Sequence, residues 1–513
     1  MKRLIFLALQ IVILAAALTV QTGHAVEGAC NDQAAIACKD TDPIAVIPVT
    51  DDLLGLSKPL SKGDPRNMQF PPLHYQIPRA ERVVLECGMP VYLLRDPELP
   101  IINMTAMIRT GSVYEPDNQT GLASLTGAVM RSGGAGGVLP EEIDDQLEFM
   151  ASTVESSIGS DMGSVSLTSL SKNFMPTLKI FADVLLRPDF SEKRVDLARK
   201  HLIEGLRRQN DDPKEIASRE IGRAIYAGHP LGRIPTLETA RSITRQSMID
   251  FHRRFFRSDN MILAVSGDFE RTSLLRELNA VFGKPRTDAI TLPTVPQPQQ
   301  TFSPETIHGR KEVNQTVIRM GHLGITKDSP DLYAIRILDY ILGGSFTSRL
   351  TMEIRTNQGL AYNVGSHFDI GRRFTGAFVA ETETKAESTV KAITLMKDII
   401  TGITKEPVTE QELKNAKEYI INSFMFGFTS PASVVTQRAR LEFYGYAPDY
   451  LDSYRDNIAR VTREEVLAAA RRHLKPDAFK LVVVGDSARF DKPLSGFGTV
   501  RELDLSPMKD SGR

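Results

Sequence analysis

Few residues of this 513-residue chain have the type and spacing that an active site requires. The nine histidines never fall four apart, and no two cysteines have the C-x-x-C spacing, so both common zinc-ligand patterns are missing. His201 and Glu204 lie three apart in a charged helical stretch, where a lone histidine is ordinarily a surface residue. Ser124 lacks the G-x-S-x-G turn of a hydrolase nucleophile. The sequence therefore contains no recognisable active site for a self-sufficient hydrolase.

The stretch around Ser124 is informative because of what it lacks. Residues 121–130, GLASLTGAVM, have the apolar spacing of an amphipathic helix. Ser124, Gly127 and Ala128 lie on a strip beside the apolar face. On such a strip the motif H-x-x-E-H supplies two zinc-binding histidines and a glutamate that activates water. Serine, glycine and alanine can supply neither function.

The preceding segment, residues 85–121, resembles the opening strands of the pitrilysin/insulinase family of zinc metallopeptidases. In that family the segment leads into GLAHLLEHM, which aligns without gaps from Gly121 onward. The two histidine positions and the glutamate position then hold Ser124, Ala128 and Gly127. The resemblance also implies a third ligand, a glutamate, on a helix matching residues 191–210, and there Gly205 occupies its place. It thus implies a family member with no metal of its own, because all four positions have changed.

The second half of the chain keeps a different motif of the same family. Residues 343–362, GGSFTSRLTMEIRTNQGLAY, resemble its S-R-L…R-x-x-x-G-L-x-Y stretch. The resemblance implies that Arg355 and Tyr362 reach across a chamber to a zinc site and hold the substrate or the developing oxyanion. A fixed charge and a phenol are typical stabilisers of that intermediate. The alternative is that Arg355 ends a helix and Tyr362 begins a strand for folding reasons alone.

The clearest internal evidence for two similar domains is a repeat. Residues 243–268 align without gaps on residues 461–486, and each copy reads as a threonine-capped helix, a turn and a buried strand that ends in Gly-Asp. Between the copies lies the proline-rich segment LPTVPQPQQTFSPE, residues 292–305, which predicts a semi-rigid linker. We expect an α+β fold of two homologous domains, each an antiparallel sheet with helices, and the family resemblance implies that they form half of a clamshell-like chamber. The predicted parts are a signal peptide (1–25), an irregular extension (26–78), a first domain (79–291), the linker (292–305), a second domain (306–495) and a tail (496–513).

The amino-terminal segment predicts export. Met1-Lys2-Arg3 precedes the apolar run 4–20, and Gly23-His24-Ala25 is a plausible cleavage site. We expect a periplasmic protein that leaves the membrane after cleavage, with an uncleaved anchor as the alternative. Cys30 and Cys38 could pair in that compartment or remain free thiols, and Cys87 reads as a buried apolar residue.

The function that these features predict is that of a pseudopeptidase subunit. With 62 basic and 63 acidic residues, the chain has no charge excess that would indicate a nucleic-acid partner. The resemblance implies a heterodimer in which a zinc-binding partner cleaves peptides or unfolded protein, while this chain contributes Arg355 and Tyr362. The alternative is a binding or scaffold protein of the same fold with no role in proteolysis.

Overall fold

The computed structural model describes residues 76–283 and 290–506. The predicted signal peptide, most of the extension, Cys30 and Cys38 lie outside these ranges. Cys87 is buried, as predicted. Within the described residues, no helix combines the length and apolar character needed to cross a bilayer.

The first half of the chain forms one six-stranded sheet. Its strands are β1 (Glu81–Val84), β2 (Pro90–Arg95), β3 (Ile101–Ile108), β4 (Thr153–Ile158), β5 (Gly163–Leu170) and β6 (Met261–Gly267). They lie in the order β1-β2-β6-β3-β5-β4, with β4 at one edge. The helices of this half are α1 (Leu122–Ser132), α2 (Pro140–Phe149), α3 (Phe174–Leu186), α4 (Glu192–Arg208), α5 (Pro213–Ile225), α6 (Leu237–Ser242), α7 (Arg245–Phe255) and α8 (Arg271–Phe282).

The second half repeats this arrangement in five of its six strands, the exception being the last strand in the chain, which lies at an edge and pairs in parallel. Its strands are β7 (Glu305–Arg310), β8 (Gln315–Leu323), β9 (Ala361–Phe368), β10 (Ala377–Lys385), β11 (Lys480–Gly485) and β12 (Val500–Glu502), in the order β12-β7-β11-β8-β10-β9. Its helices are α9 (Leu332–Leu342), a π-helix (Thr351–Asn357), α10 (Thr389–Gly402), α11 (Glu410–Ser423), α12 (Pro431–Phe443), α13 (Tyr450–Arg460) and α14 (Arg463–His473). The predicted α+β class with two homologous sheets is confirmed, and residues 500–502 of the predicted tail are part of the second sheet.

One detail of the predicted sheets was wrong. The sheets are mixed rather than antiparallel, because β6 pairs with β2 in parallel, and β11 and β12 both pair with β7 in parallel. Residues 83–94 contain the end of β1 and most of β2, which pair antiparallel. Gly88 reverses the chain between them with a φ of 86°, a left-handed conformation that glycine adopts without a steric penalty.

The sequence repeat corresponds to α7–β6 in the first half and α14–β11 in the second. Thr244 and Thr462 cap the two helices as predicted, each accepting a hydrogen bond from the backbone N–H three residues later. Each buried strand then enters the middle of its sheet, ending at Gly267 or Gly485. The repeat thus builds equivalent central strands in the two sheets.

Each half gives one helix to the sheet of the other half. Helix α5 packs on β8 and β11, where Ile216, Ile221 and other apolar residues join a buried cluster with Val482. Helix α12 packs on β6 and β2, where Val435 and Phe443 join a cluster with the first sheet. The two halves are therefore joined by reciprocal burial of apolar surface as well as by the linker.

Limited proteolysis is expected to cut first within residues 292–305 and to give two fragments of similar size. The described residues 290–304 contain no helix or strand, and such segments are preferred protease sites. Because α5 and α12 are exchanged, the fragments should elute together in gel filtration and separate only in denaturant. Early cutting within α4, or fragments that separate in native buffer, would contradict this arrangement.

Candidate functional site

Helix α1 carries the positions of the missing zinc motif, and it begins at a buried glutamate. Gly121 adopts a φ of 105°, and the Glu115 carboxylate accepts hydrogen bonds from the backbone nitrogens of Gly121 (3.0 Å) and Ala123 (2.6 Å). Burial raises the pKa of Glu115, and these two hydrogen bonds oppose the rise. Ser124 and Ala128 are exposed on this helix, and the Ser124 hydroxyl donates to the carbonyl of Gly121 at 3.0 Å.

Gly127 lies on the buried face of α1, against the edge strand β4. A Cβ atom added at this position would lie 2.5 Å from the backbone nitrogen of Ile158 and 2.9 Å from the carbonyl carbon of Ser157. The hydroxyl of Ser156 also donates to the Gly127 carbonyl at 2.7 Å. Since the obstruction is backbone, it cannot move aside cheaply. The position that holds the catalytic glutamate in the resemblance is thus closed to any side chain.

Gly205 on α4 is in the opposite situation. Helices α1 and α4 pack together, and a Cβ added at Gly121 would meet the Leu202 side chain at 3.4 Å. Gly205 itself is exposed, and an added Cβ would have no neighbour within 4 Å. A ligand residue could occupy this position, but glycine offers no ligand.

The donor set of these helices does not fit a zinc ion. Zinc in proteins takes sulfur, imidazole or carboxylate ligands, whereas the four positions carry one hydroxyl and no other polar side-chain atom. His201, the remaining candidate on α4, is exposed. Across residues 76–283 and 290–506, no three His, Cys, Asp or Glu side chains are grouped so as to hold a metal.

We expect the purified chain, dialysed against metal-free buffer, to contain much less than one zinc ion per molecule and to cleave no peptide. The reason is the absence of ligands at Ser124, Ala128 and Gly205 and of a base at Gly127. Elemental analysis by plasma mass spectrometry checks the metal content. One zinc ion per chain that resists dialysis would contradict the assignment.

The structure brings Arg355 and Tyr362 together in the second half. Arg355 lies in the π-helix and Tyr362 near the start of β9, and the guanidinium carbon is 5.0 Å from the centre of the Tyr362 ring. The same carbon is 5.3 Å from the ring centre of Phe346. The two rings are 84% and 79% exposed. Together the three side chains border an open depression of about 480 Å³, which we call the Arg355 site.

The backbone of this site is held by one buried threonine. Residues 343–350 form a loop between α9 and the π-helix, which we call the glycine loop. The hydroxyl of Thr351 donates to the carbonyl of Ser345 in this loop (3.1 Å) and approaches the carbonyl of Val364 in β9 (3.3 Å). The hydroxyl of Ser348 in turn donates to Thr351 at 2.9 Å. The loop also needs Gly343, because an added Cβ would lie 2.1 Å from the backbone nitrogen of Ser366. These contacts fix the three elements that carry Phe346, Arg355 and Tyr362.

The far wall of the Arg355 site comes from α9 and α11. Tyr340 and Tyr419 pack with ring centres 4.7 Å apart and both line the depression. Arg349 ties the loop to α11 through two hydrogen bonds to Glu412, at 2.7 and 2.9 Å. Burial acts to raise the pKa of Glu412, but the hydrogen bonds from Arg349 and the Thr409 backbone leave this pKa below its ordinary value. The ion pair therefore anchors the aromatic wall to the loop.

Sequence reasoning identified Arg355 and Tyr362 but missed Phe346 and the two tyrosines. Phe346 follows two glycines and a serine, and a large apolar residue in such a turn is a signal that could have been used. Tyr419 could not have been found, because α11 is distant in sequence from the motif. The π-helical turn was also missed; such turns are rare and often lie at functional sites.

Two profiles of one peptidase family match this chain. Residues 91–239 match the family profile described as "Insulinase (Peptidase family M16)", and residues 242–420 match "Peptidase M16 inactive domain". The chain belongs to peptidase family M16. The first M16 profile spans all four altered zinc positions, and the second spans Arg355 and Tyr362. The family predicted from the sequence is confirmed.

Some curated relatives within M16 are named zinc proteases, and one is named a non-peptidase homolog. "Uncharacterized zinc protease YmxG" of Bacillus subtilis is 22% identical over 413 residues, which are 79% of this chain and 98% of that one. "Non-peptidase homolog YmxG" of Helicobacter pylori is 22% identical over 415 residues, 79% of this chain and 93% of that one. Membership of M16 alone therefore does not decide whether a chain is a peptidase.

Two solved structures also resemble this M16 chain. The peptidase M16 inactive domain from Pseudomonas fluorescens superposes with a TM-score of 0.73 at 27% identity, covering 81% of this chain and all of that one. A protease from Helicobacter pylori has a TM-score of 0.71 at 17% identity, covering 80% and 100%, and shows the fold alone. Both cover most of the described residues, which include the two sheets.

Proposed function

We propose that this chain is the non-catalytic subunit of an exported M16 heterodimer that hydrolyses peptides. In this proposal a partner subunit holds the zinc ion and the catalytic base, and this chain supplies Arg355, Tyr362 and part of the chamber wall. The observation that carries the proposal is a contrast within one molecule. The Arg355 site is intact and open, whereas the position of the catalytic base, Gly127, is closed by the backbone of β4.

The two side chains suit the stabilisation of a tetrahedral intermediate. A guanidinium offers a planar set of N–H donors, and a phenol offers one O–H donor. Tyr362 is exposed and Arg355 is half-buried at the edge of the open depression, so both can meet a group presented from outside the chain. When a partner covers the site and excludes water, the same donors act more strongly on developing negative charge. The role assigned here is therefore electrostatic, and it requires no acid or base in this chain.

Other features of the chain support a compartment and a substrate class for this proposal. Met1-Lys2-Arg3 and the apolar run 4–20 support export, so we place the heterodimer in the periplasm. The balanced net charge of −1 favours no nucleic-acid ligand. Peptides or unfolded protein segments are the substrates that the family relationship supports.

The proposal is tested by isolating the complex. The chain, tagged at its carboxyl terminus and expressed in its source cells, should co-purify with a second M16 chain that has an intact H-x-x-E-H motif. The complex should contain one zinc ion per pair and cleave peptides. A chain that purifies only alone or with copies of itself, with no zinc-binding M16 chain in the fraction, would contradict the proposal.

The rival function is a scaffold of the same fold. It is favoured by the exposure of Phe346 and Tyr362, since exposed aromatic side chains are typical of protein-binding surfaces. Under this alternative the rings only bury surface against a partner, and the charge of Arg355 has no function in turnover. Substitution of Arg355 therefore distinguishes the two.

A further inference from the structure

The Arg355 guanidinium has no counterion in the described part of the chain. No carboxylate lies within ion-pair distance of it, and the acidic residue of its own helix, Glu353, instead binds Asn357 (2.8 Å) and Gln358 (2.9 Å). The guanidinium carbon lies 5.3 Å and 5.0 Å from the ring centres of Phe346 and Tyr362. Within residues 76–283 and 290–506 its N–H groups also have no hydrogen-bond acceptor, so they remain for a ligand. A half-buried arginine of this kind is suited to bind a carboxylate through two parallel hydrogen bonds.

The space beside this charge is lined by aromatic rings. Besides Phe346 and Tyr362, the depression of about 480 Å³ is bordered by Tyr340 and Tyr419. Such a volume can hold a large side chain, and aromatic walls bind aromatic or large apolar groups through ring packing. The Arg355 cation and the aromatic pocket are therefore close enough for a single bound amino-acid residue to contact both.

We propose that the Arg355 site binds the carboxyl-terminal residue of a peptide, with the guanidinium on its carboxylate and the aromatic walls around a bulky apolar side chain. A carboxyl-terminal residue carries both groups on one Cα atom, which matches their adjacency in the site. A glutamate or aspartate inside a peptide provides the carboxylate without the neighbouring ring. The shared chemistry is a carboxylate, and the test separates the two sources.

This inference rests on the proposed function and adds a substrate class to it. When water cleaves a peptide bond, the C–N bond breaks, the carbonyl carbon gains an oxygen to become a carboxylate, and the amine leaves with a proton. The carboxylate carbon is the one that bore the oxyanion, so donors that stabilise the oxyanion also bind this product. The aromatic walls then select cleavage after large apolar residues.

The test uses the full-length mature chain without a partner. Four fluorescein-labelled tetrapeptides are compared by polarisation: one ending in phenylalanine as the free acid, its amide, one ending in alanine as the free acid, and an amidated peptide with glutamate before an internal phenylalanine. The phenylalanine acid should bind about 10-fold more tightly than its amide, because a charged hydrogen-bonded pair is lost in the amide. It should bind about 3- to 10-fold more tightly than the alanine acid.

Variants assign each preference to its side chain. Arg355→Gln should abolish the difference between acid and amide, and Phe346→Ala should reduce only the preference for phenylalanine over alanine. The control is Arg254→Gln on α7, where an exposed arginine lies 5.4 Å from the ring centre of Phe255. It should change nothing. Thermal unfolding checks that each variant is folded.

Two results would overturn the proposal. One is equal binding of acid and amide by the wild-type chain, including no binding of either. The other is tighter binding of the peptide with internal glutamate, which would assign the site to side-chain carboxylates. Because the partner is absent, either failure leaves the proposed role in turnover intact, whereas loss of that role would appear only in the hydrolysis measurements on the heterodimer.

Discussion

Replacement of Arg355 by alanine is expected to lower the turnover of the assembled heterodimer by about 10²–10³-fold, the usual cost of removing one preorganised oxyanion donor. This corresponds to about 3–4 kcal/mol of transition-state stabilisation. Arg355→Lys should also be impaired, because an ammonium cannot reproduce the planar set of donors. Tyr362→Phe should lower turnover as well, because it removes the phenol O–H donor and leaves the ring in place. Peptide hydrolysis by the reconstituted pair measures all three.

Assembly has to be separated from turnover in these variants. Because Arg355 makes no ion pair in the described structure and Tyr362 is 84% exposed, the substitutions should leave folding unchanged. Gel filtration should show the same heterodimer for wild type and variants. Arg254→Ala, on α7 in the first half, is the matched control and should have wild-type turnover. Well-assembled Arg355→Ala complexes with wild-type rates would favour the scaffold.

Substitution of Gly127 by alanine is expected to destabilise the fold by about 1–3 kcal/mol, the usual cost of overpacking a well-packed site. The added Cβ would lie 2.5 Å from a backbone nitrogen of β4, so either the helix or the edge strand must move. In an unobstructed helix the same change stabilises by about 1 kcal/mol, because glycine is a poor helix former. The sign of the effect, measured by denaturant unfolding, is therefore diagnostic.

Gly205→Ala provides the control with the opposite sign. Gly205 is exposed on α4 and has open space around an added Cβ, so alanine should stabilise by up to about 1 kcal/mol. If both variants are stabilised, the close contact between α1 and β4 is wrong.

The closed position also limits any attempt to restore the zinc motif. A variant with Ser124→His, Gly127→Glu, Ala128→His and Gly205→Glu should unfold more easily than wild type and gain no peptidase activity. The glutamate would place a charged side chain where even a methyl group does not fit. The variant without Gly127→Glu should fold, since its three sites are exposed. A folded, active variant with all four substitutions would contradict the closure at Gly127. It would show that the site lacks only the right side chains and not the space for them.

Much of the fold could be predicted because its signals are local. The capped helices at Thr244 and Thr462 and the buried strands after them follow from short patterns. The exchange of α5 and α12 could not be predicted, because an amphipathic helix does not specify which sheet it covers. The β1–β2 hairpin was missed since a single glycine, Gly88, carries its turn.

The site divides in the same way. Arg355 and Tyr362 were found because their spacing survives in a short motif, and the loss at Ser124 and Ala128 is visible in residue types alone. The closure at Gly127 is a contact with β4, some thirty residues away in the chain, and no spacing rule encodes it. Tyr419 reaches the Arg355 site through tertiary packing, from a helix outside the motif. What the sequence lacked was contact information rather than chemistry.

The most direct test of the central claim is peptide hydrolysis by this chain and its zinc-binding M16 partner, assayed separately and mixed at increasing ratios. The account predicts that neither chain alone cleaves the peptide and that activity rises with added chain until the two are equimolar. It also predicts that zinc removal from the mixture abolishes the activity. A partner that cleaves the peptide equally fast alone would contradict the claim that this chain completes its active site.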